Sequence, residues 1–532
     1  MTFSPEQLAI FAHFESGAGN LVIEAFAGTG KTTTIKAAFE HAPEARILYA
    51  VFNKRNQKEA EEKITDHRVE VKTLHSLGFA FIKRVWRNAK PDDEVETDRA
   101  IKECPAFTSD KEALAAALKL VGFAKNTCIK PTRSELEAIC ETQDISVEGL
   151  DVIEIAIRIL ERSKVADAQG RISFNDMVWL PVAMNWVKPW YNLVCIDEAQ
   201  DMNIPQLMMA RAASSGRVIV VGDSRQAIYG FRGAVQDGMQ MMKVTLRASG
   251  AKLSTTYRCP KAVVKIAAEI VPDYKAADSA PEGEVGYVSG ELAPLVKVGD
   301  AILSRLNAPL MPLALQLLRK NIPARIEGRD IGRQLIGMVR TMKASIVPHF
   351  MERVEAWLAK QIERLERCKN PEKKIEATRD IADTLKALAQ DAKSVADIEA
   401  RVNSLFQDSD SSSKPAVVLS SVHKAKGLEW NRVFLLSDTF RKGKTKEEDN
   451  IYYVAVTRAK QALYFVGGKE NLAETAKSQV ADSATSLIGN NGNTQIIPKR
   501  PRKRRSQRIA ELQALGTDST EILNTIRREK YI

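Results

Sequence analysis

Short apolar runs punctuate the chain at 21–23, 47–52, 193–196 and 218–221, and again at 301–304, 416–420, 433–436 and 462–466. Their length and their bounding polar and turn-forming residues read as buried strands. Helical stretches separate them, and strands alternating with helices predict parallel sheets of the α/β class. The runs fall into two sets, so two such sheets are expected.

Each set is interrupted by a segment that reads as all-helical. The first, 79–175, carries periodic stretches at 112–120 and 152–160. In the second, 331–413, Phe350, Val354, Trp357, Leu358, Gln361 and Leu365 share one helical face, with Lys, Arg and Glu opposite. Asn370-Pro371 breaks that pattern before another helical run, and the polar stretch 408–413 reads as a linker. Beyond 486 the chain turns Gly/Asn-rich, then basic, then weakly helical.

A chain of 532 residues is too long for one hydrophobic core. No apolar run is long enough to span a bilayer, and the first residues lack the basic flank and apolar stretch of a signal peptide. The expected location is the cytoplasm of a bacterial or phage-infected cell, or the nucleus of a eukaryote. The six cysteines form no C-x-x-C pair and no histidines cluster beside them, which argues against thiolate metal sites and a disulfide framework. The net charge is +11, and ten residues from Lys499 to Arg508 carry seven positive charges without an acid. Such a balance fits a polyanionic partner, though the same tail reads equally well as a solvated linker.

Candidate chemistry follows the strands. The run 21–23 leads into Glu24-Ala25-Phe26-Ala27-Gly28-Thr29-Gly30-Lys31-Thr32-Thr33 and a helix. Glycines that let backbone N–H groups approach a phosphate at a helix N-terminus make this a phosphate loop, with Ala25 where the usual first glycine stands. Lys31 is placed to reach the β- and γ-phosphates, and the Thr32 hydroxyl to bind Mg²⁺. The strand 193–196 ends in Asp197-Glu198-Ala199-Gln200-Asp201, a carboxylate for the metal followed by one for the attacking water. The strand 218–221 runs into Gly222-Asp223-Ser224-Arg225-Gln226-Ala227-Ile228-Tyr229-Gly230-Phe231. There Gln226 can sense the γ-phosphate, and Tyr229 and Phe231 can stack on bases.

Taken in order, these segments and several downstream resemble the superfamily 1A helicases of the UvrD/Rep/PcrA type, over residues 1 to about 470. Phe3-Ser4-Pro5-Glu6-Gln7 resembles the Q motif, which implies that Gln7 reads adenine. Ala50-Val51-Phe52-Asn53-Lys54 and Thr73-Leu74-His75-Ser76 resemble motifs Ia and Ib, which implies DNA contacts at Phe52, Asn53 and His75. Asp197–Asp201 and 222–233 resemble motifs II and III, with Phe231 where the family usually has tryptophan. Thr256-Tyr257-Arg258-Cys259-Pro260 resembles motif IV, which implies that Tyr257 stacks on adenine and Arg258 meets the γ-phosphate. The segment 419–430 resembles motif V, with Ser421 for threonine, His423 near DNA and Glu429 near the ribose. Glu447-Glu448 and 453–460 resemble motif VI, which makes Arg458 the candidate arginine finger.

The resemblance implies two RecA-like P-loop domains around an ATP cleft. Residues 1–78 and 176–247 would form 1A, 79–175 a helical 1B, 248–330 and 414–485 would form 2A, and 331–413 a reduced helical 2B, ahead of a basic tail at 486–532. The His-Lys-Ala-Lys-Gly-Leu-Glu-Trp form of motif V and Ala199 lean toward a compact branch that includes phage and F-box-helicase-like proteins. The implied activity is an ATP- and Mg²⁺-dependent 3′→5′ translocase and helicase on single-stranded DNA and its duplex junctions. It would act in replication, repair or recombination, as a monomer, with 2B or the tail available to a protein partner. Three other readings stay open: a translocase that strips proteins and unwinds little, an ATPase subunit of a defence or nuclease complex, and an RNA helicase.

Overall fold

The computed structural model describes residues 3–143, 145, 150–165, 167, 170–228, 238–366, 371–407 and 415–467. The expected stacking residues Tyr229 and Phe231 and the basic tail lie outside the described residues. The first sheet comprises β1 (Leu21–Ala25), β2 (Ile47–Val51), β3 (Val69–Thr73), β4 (Tyr191–Ile196), β5 (Ser214–Gly222) and β6 (Ser249–Leu253). All are parallel, in the spatial order β3-β2-β4-β5-β1-β6. The second comprises β7 (Glu284–Val288), β8 (Ala301–Ser304), β9 (Ala324–Glu327), β10 (Phe406–Gln407), β11 (Val417–Ser421), β12 (Trp430–Leu436) and β13 (Ala459–Val466). It is also wholly parallel, in the order β7-β13-β12-β8-β11-β9-β10. Two parallel sheets in two lobes make the chain α/β, as the strand pattern predicts, with the RecA-like arrangement that the resemblance implies.

Two boundaries differ from the expected ones. β6 pairs with β1 along five residues, so the first sheet runs past 247 and the chain leaves the first lobe after Leu253. The 331–413 segment shares its core with the second sheet. Leu335, Phe350, Val354, Leu385 and Val402 pack in one cluster with Ile302, Ile326, Leu419 and Phe434, and β10 extends the sheet edge. The expected amphipathic face is fully buried at Phe350 and Val354 and only partly at Trp357 and Leu358.

The 79–175 insertion packs into a core that it shares with Met177, Trp179 and Leu180 of the helix that follows it. Phe107, Leu120, Leu136, Ile159 and neighbours cluster separately from the sheet. At its junction with that helix the carboxylate of Asp176 accepts from Arg99 at 2.6 Å and Lys125 at 2.7 Å, with all three side chains buried. Lys125 also donates to Glu96 at 2.8 Å, so two acids balance two cations away from water, and Asp176 stays ionised despite its burial. Among the described residues, no helix is long and apolar enough to cross a membrane.

Candidate ATP cleft

Parallel strands bring their C-terminal ends to one edge, and that edge is where such sheets bind ligands. β1 delivers the phosphate loop there, β4 delivers Asp197-Glu198, and β5 delivers Asp223 and Gln226. Facing them across a cleft of about 690 Å³ are Tyr257, Arg258, Gly427, Glu429 and Lys460 from the second lobe. Gly28, Thr29, Gly30, Lys31, Thr32, Thr33, Asp197, Glu198 and Gln226 line the first-lobe wall.

Gly30 has φ +77° and caps the helix Lys31–His41, a left-handed conformation that costs glycine little. Its helix N-terminus leaves backbone N–H groups unpaired, the arrangement an anion needs. Lys31 Nζ lies 3.5 Å from Glu198 Oε1. Burial alone would lower the Lys31 pKa, but Glu198, Asp223 and Asp197 outweigh it and leave the ammonium more firmly charged than usual. Burial also works against an ionised Glu198, yet Lys31 and Lys426 hold its carboxyl below the usual range. Glu198 itself adopts φ +50°, rare for a residue with a side chain and typical of backbone strain held at a functional site.

Asp197 shows the opposite balance. Its burial and the charge of Glu198 push its carboxyl up. Tyr49 from β2 donates to Asp197 Oδ2 at 2.6 Å, and the Glu198 N–H donates to Oδ1 at 2.8 Å. Asp223 is pushed up to about 6 by burial, against the pull of Lys31. Three carboxylates therefore surround one lysine, a surplus of negative charge with hard oxygen donors that suits Mg²⁺. Among the described residues no group of three or more acids, histidines or cysteines converges as a cage. An ion at Asp197 and Thr32 would therefore draw most of its ligands from phosphate and water.

On the second-lobe wall the cations are engaged. Arg258 Nε pairs with Glu429 Oε2 at 2.6 Å, and Lys460 lies 3.5 Å from the other oxygen. Arg458 is 1% exposed. It donates to the carbonyls of Val454 (2.8 Å) and Leu428 (3.1 Å), and reaches Gln226 Oε1 at 3.4 Å. Its burial and the nearby Arg258 lower its pKa to about 10, so it remains charged at neutral pH. Lys426 Nζ crosses to the first lobe and donates to both oxygens of Asp201 (2.7 and 2.6 Å) and to the Gln226 carbonyl (2.6 Å). Tyr257 leaves its ring 54% exposed in the cleft, a free face for a base.

Two of the expected nucleotide residues sit elsewhere. Gln7 is buried behind the loop; its Oε1 accepts from Ser4 N (2.9 Å) in a capping box, and its Nε2 donates to Thr34 Oγ1 (2.8 Å). Ala27 is 1% exposed and faces the second lobe rather than the cleft.

The expected DNA contacts lie at other strand ends. Phe52 follows β2 and is half-buried, and the exposed Asn53 caps the next helix through Asn56 N at 2.8 Å. His75 follows β3 and stacks on Phe174 with ring centroids 4.0 Å apart. His423 occupies the one-turn helix Val422–Ala425 after β11. Burial lowers the pKa of both histidines to about 4, so each is neutral at pH 7 and offers a ring or a hydrogen bond rather than a charge.

Sequence reasoning missed Tyr49, Lys426, Lys460 and Phe174. Phe174 is 56% exposed, and a large exposed aromatic beside a histidine is the signal that marks it. Tyr49 carried no signal, because in sequence it is one more apolar residue of a buried strand.

Residues 3–246 match the UvrD/REP helicase N-terminal domain and residues 329–469 the UvrD-like helicase C-terminal domain. The chain belongs to the superfamily 1A UvrD/Rep-like helicase family. It is 25% identical to F-box DNA helicase protein 1 of Schizosaccharomyces pombe over 501 residues, covering 83% of this chain and 55% of that one. F-box DNA helicase 1 of Gallus gallus is 24% identical over 531 residues, covering 88% and 50%. ATP-dependent DNA helicase Rep of Escherichia coli is 26% identical over 281 residues, covering 47% and 40%. The chain thus spans about half the length of the curated relatives it matches.

Proposed function

We propose that the protein is an ATP-driven translocase on single-stranded DNA that unwinds duplex in the 3′→5′ direction, in replication, repair or recombination. The observation that carries this reading is the composite cleft. Lys31 and Glu198 on one lobe face Arg258, Glu429 and Lys460 on the other. A nucleotide bridging these groups ties its own hydrolysis to movement between lobes.

The chemistry follows from the pairs. Mg²⁺ at Thr32 and Asp197 would neutralise phosphate charge. Lys31 would swing from Glu198 to the β- and γ-phosphates, and the loss of that partner would raise the basicity of Glu198 where water must be activated. Arg258 would exchange Glu429 for the γ-phosphate, leaving Glu429 for the ribose and Lys460 to balance it. Arg458 and Gln226, already in contact, would close on the transferring phosphoryl group. Adenine would stack on Tyr257, and Gln7 would read it after releasing its present partners. Phe52, Asn53, His75 and His423 would grip the strand, with Phe174 extending the His75 stack.

The relatives named as DNA helicases support DNA over RNA. The test is ATPase activity with single-stranded DNA, duplex and RNA, then unwinding of substrates with 3′ or 5′ overhangs. Stimulation by single-stranded DNA and preference for 3′ overhangs are expected; equal stimulation by RNA would sink the DNA assignment.

A second reading has its own observation. The described residues of the 331–413 insertion are absorbed into the second lobe's core rather than forming a domain apart from it. A translocase that displaces bound proteins and unwinds little fits that architecture. Measuring protein displacement beside strand separation on one substrate distinguishes the two.

A further inference from the structure

The first half of the phosphate loop is held by the opposite lobe. Phe26 is 5% exposed and belongs to the second lobe's core cluster, with Val263, Tyr274 and Tyr453. Its ring meets Tyr274 edge-on at 6.2 Å. Ala27 is gripped by both of its backbone groups: the Tyr274 hydroxyl donates to its carbonyl at 2.8 Å, and its N–H donates to the Tyr453 hydroxyl at 3.0 Å. Tyr453 in turn points its hydroxyl at Asp223 Oδ2, 3.5 Å away, and Asp223 holds Gln226 Nε2 at 2.7 Å.

Gly28 comes next, and its carbonyl accepts from Tyr257 N–H at 2.8 Å. A Cβ built on Gly28 would lie 2.5 Å from Arg258 Cβ and 2.6 Å from Thr256 Oγ1, so the loop meets the 256–258 segment too closely for any side chain at this position. Three successive loop residues thus have second-lobe partners, while Gly30, Lys31 and Thr32 face the cleft.

We infer that Tyr274 and Tyr453 are positioning residues of the phosphate loop. Neither lines the cleft. They hold the strand-side half of the loop, so that its helix-side half presents its N–H groups in a fixed place. The cradle for ATP is then complete only while the lobes are docked. Tyr453 extends the same control to Asp223 and Gln226, so one side chain sets both the loop and the γ-phosphate sensor. The inference rests on the reading of this cleft as the ATP site.

The experiment is calorimetric titration of ATP into the full chain without DNA, in a Glu198→Gln background that prevents turnover. Tyr274→Phe and Tyr453→Phe each remove one hydroxyl and keep the ring in the core. Each is expected to weaken ATP binding roughly 2- to 10-fold, the range for one lost hydrogen bond, and the pair to weaken it further. Tyr191→Phe is the control. It removes a buried hydroxyl from Glu70, which it meets at 2.5 Å away from the cleft. It should lower the melting temperature without changing ATP affinity. The inference is overturned if the folded double variant binds ATP like its parent, or if Tyr191→Phe weakens binding equally. Failure of the parent itself to bind ATP would instead overturn the reading of the cleft.

Discussion

On the first-lobe side of the cleft, Lys31, Asp197 and Glu198 stand at strand ends with their charges turned toward the space a nucleotide would fill. On the second-lobe side, Arg258 is tied to Glu429, and Arg458 to two carbonyls of its own lobe. Both walls are paired, but the lysine of the first is held loosely, 3.5 Å from Glu198, and Arg258 of the second tightly, 2.6 Å from Glu429. Charge-assisted hydrogen bonds are strong and short, so second-lobe cations reach phosphate only by exchanging one such partner for another. Under the proposed function both walls exchange partners, with the looser Lys31–Glu198 pair (3.5 Å) making the smaller rearrangement and the tightly held second-lobe cations the larger one.

Substitutions can break that contrast. Lys31→Ala and Glu198→Gln should have the largest effect, lowering ATP turnover by about 10³-fold or more while leaving circular dichroism unchanged. Glu198→Gln should still bind ATP, and loss of binding would overturn the reading of the cleft as the ATP site. Arg458→Lys keeps the charge but loses the forked donor set, and it should cost about 10³-fold in the hydrolysis step measured by single-turnover quench. A rate near that of the parent would remove Arg458 from the chemistry. Tyr257→Ala should act mainly on affinity, raising the KM for ATP about tenfold with kcat little changed, as expected for a lost stacking face.

The smallest effect concerns stability. Asp223 has a folded-state pKa of about 6 because it is buried, against an unfolded value near 3.8. Between those values the folded form holds the extra proton, so the contribution of Asp223 to stability falls as pH rises through that window. Asp223→Asn should therefore raise the melting temperature of the nucleotide-free protein by a few degrees at pH 7.5 and by less at pH 5. Equal shifts at both pH values would show that the carboxylate is not strained by burial.

Eight strands were legible because each contains a continuous apolar run. β3, β6, β7 and β10 were not, since each lies at a sheet edge and carries polar residues such as Glu70, Lys252, Glu284 and Gln407, and neither was the interior β9, whose four residues include Arg325 and Glu327. The phosphate loop and the Asp197-Glu198 pair were readable because their chemistry is compressed into a few consecutive residues. The Tyr453 bond to Ala27 joins residues 426 positions apart, and no local pattern encodes it. The helical period of 331–413 predicted its helices correctly. It could not say whether their apolar faces meet each other or the sheet, because both bury the same residues.

That shared core has a mechanical consequence. A segment that packs only on itself can swing on its connections. The 331–413 helices cannot, because rotating them would pull Leu335, Phe350 and Val402 away from Ile326 and Leu419 and open water-accessible voids between them. They therefore ride with the second lobe as a stiff lever arm. Anything fastened to their outer face would be carried through the same displacement as the lobe, stroke for stroke.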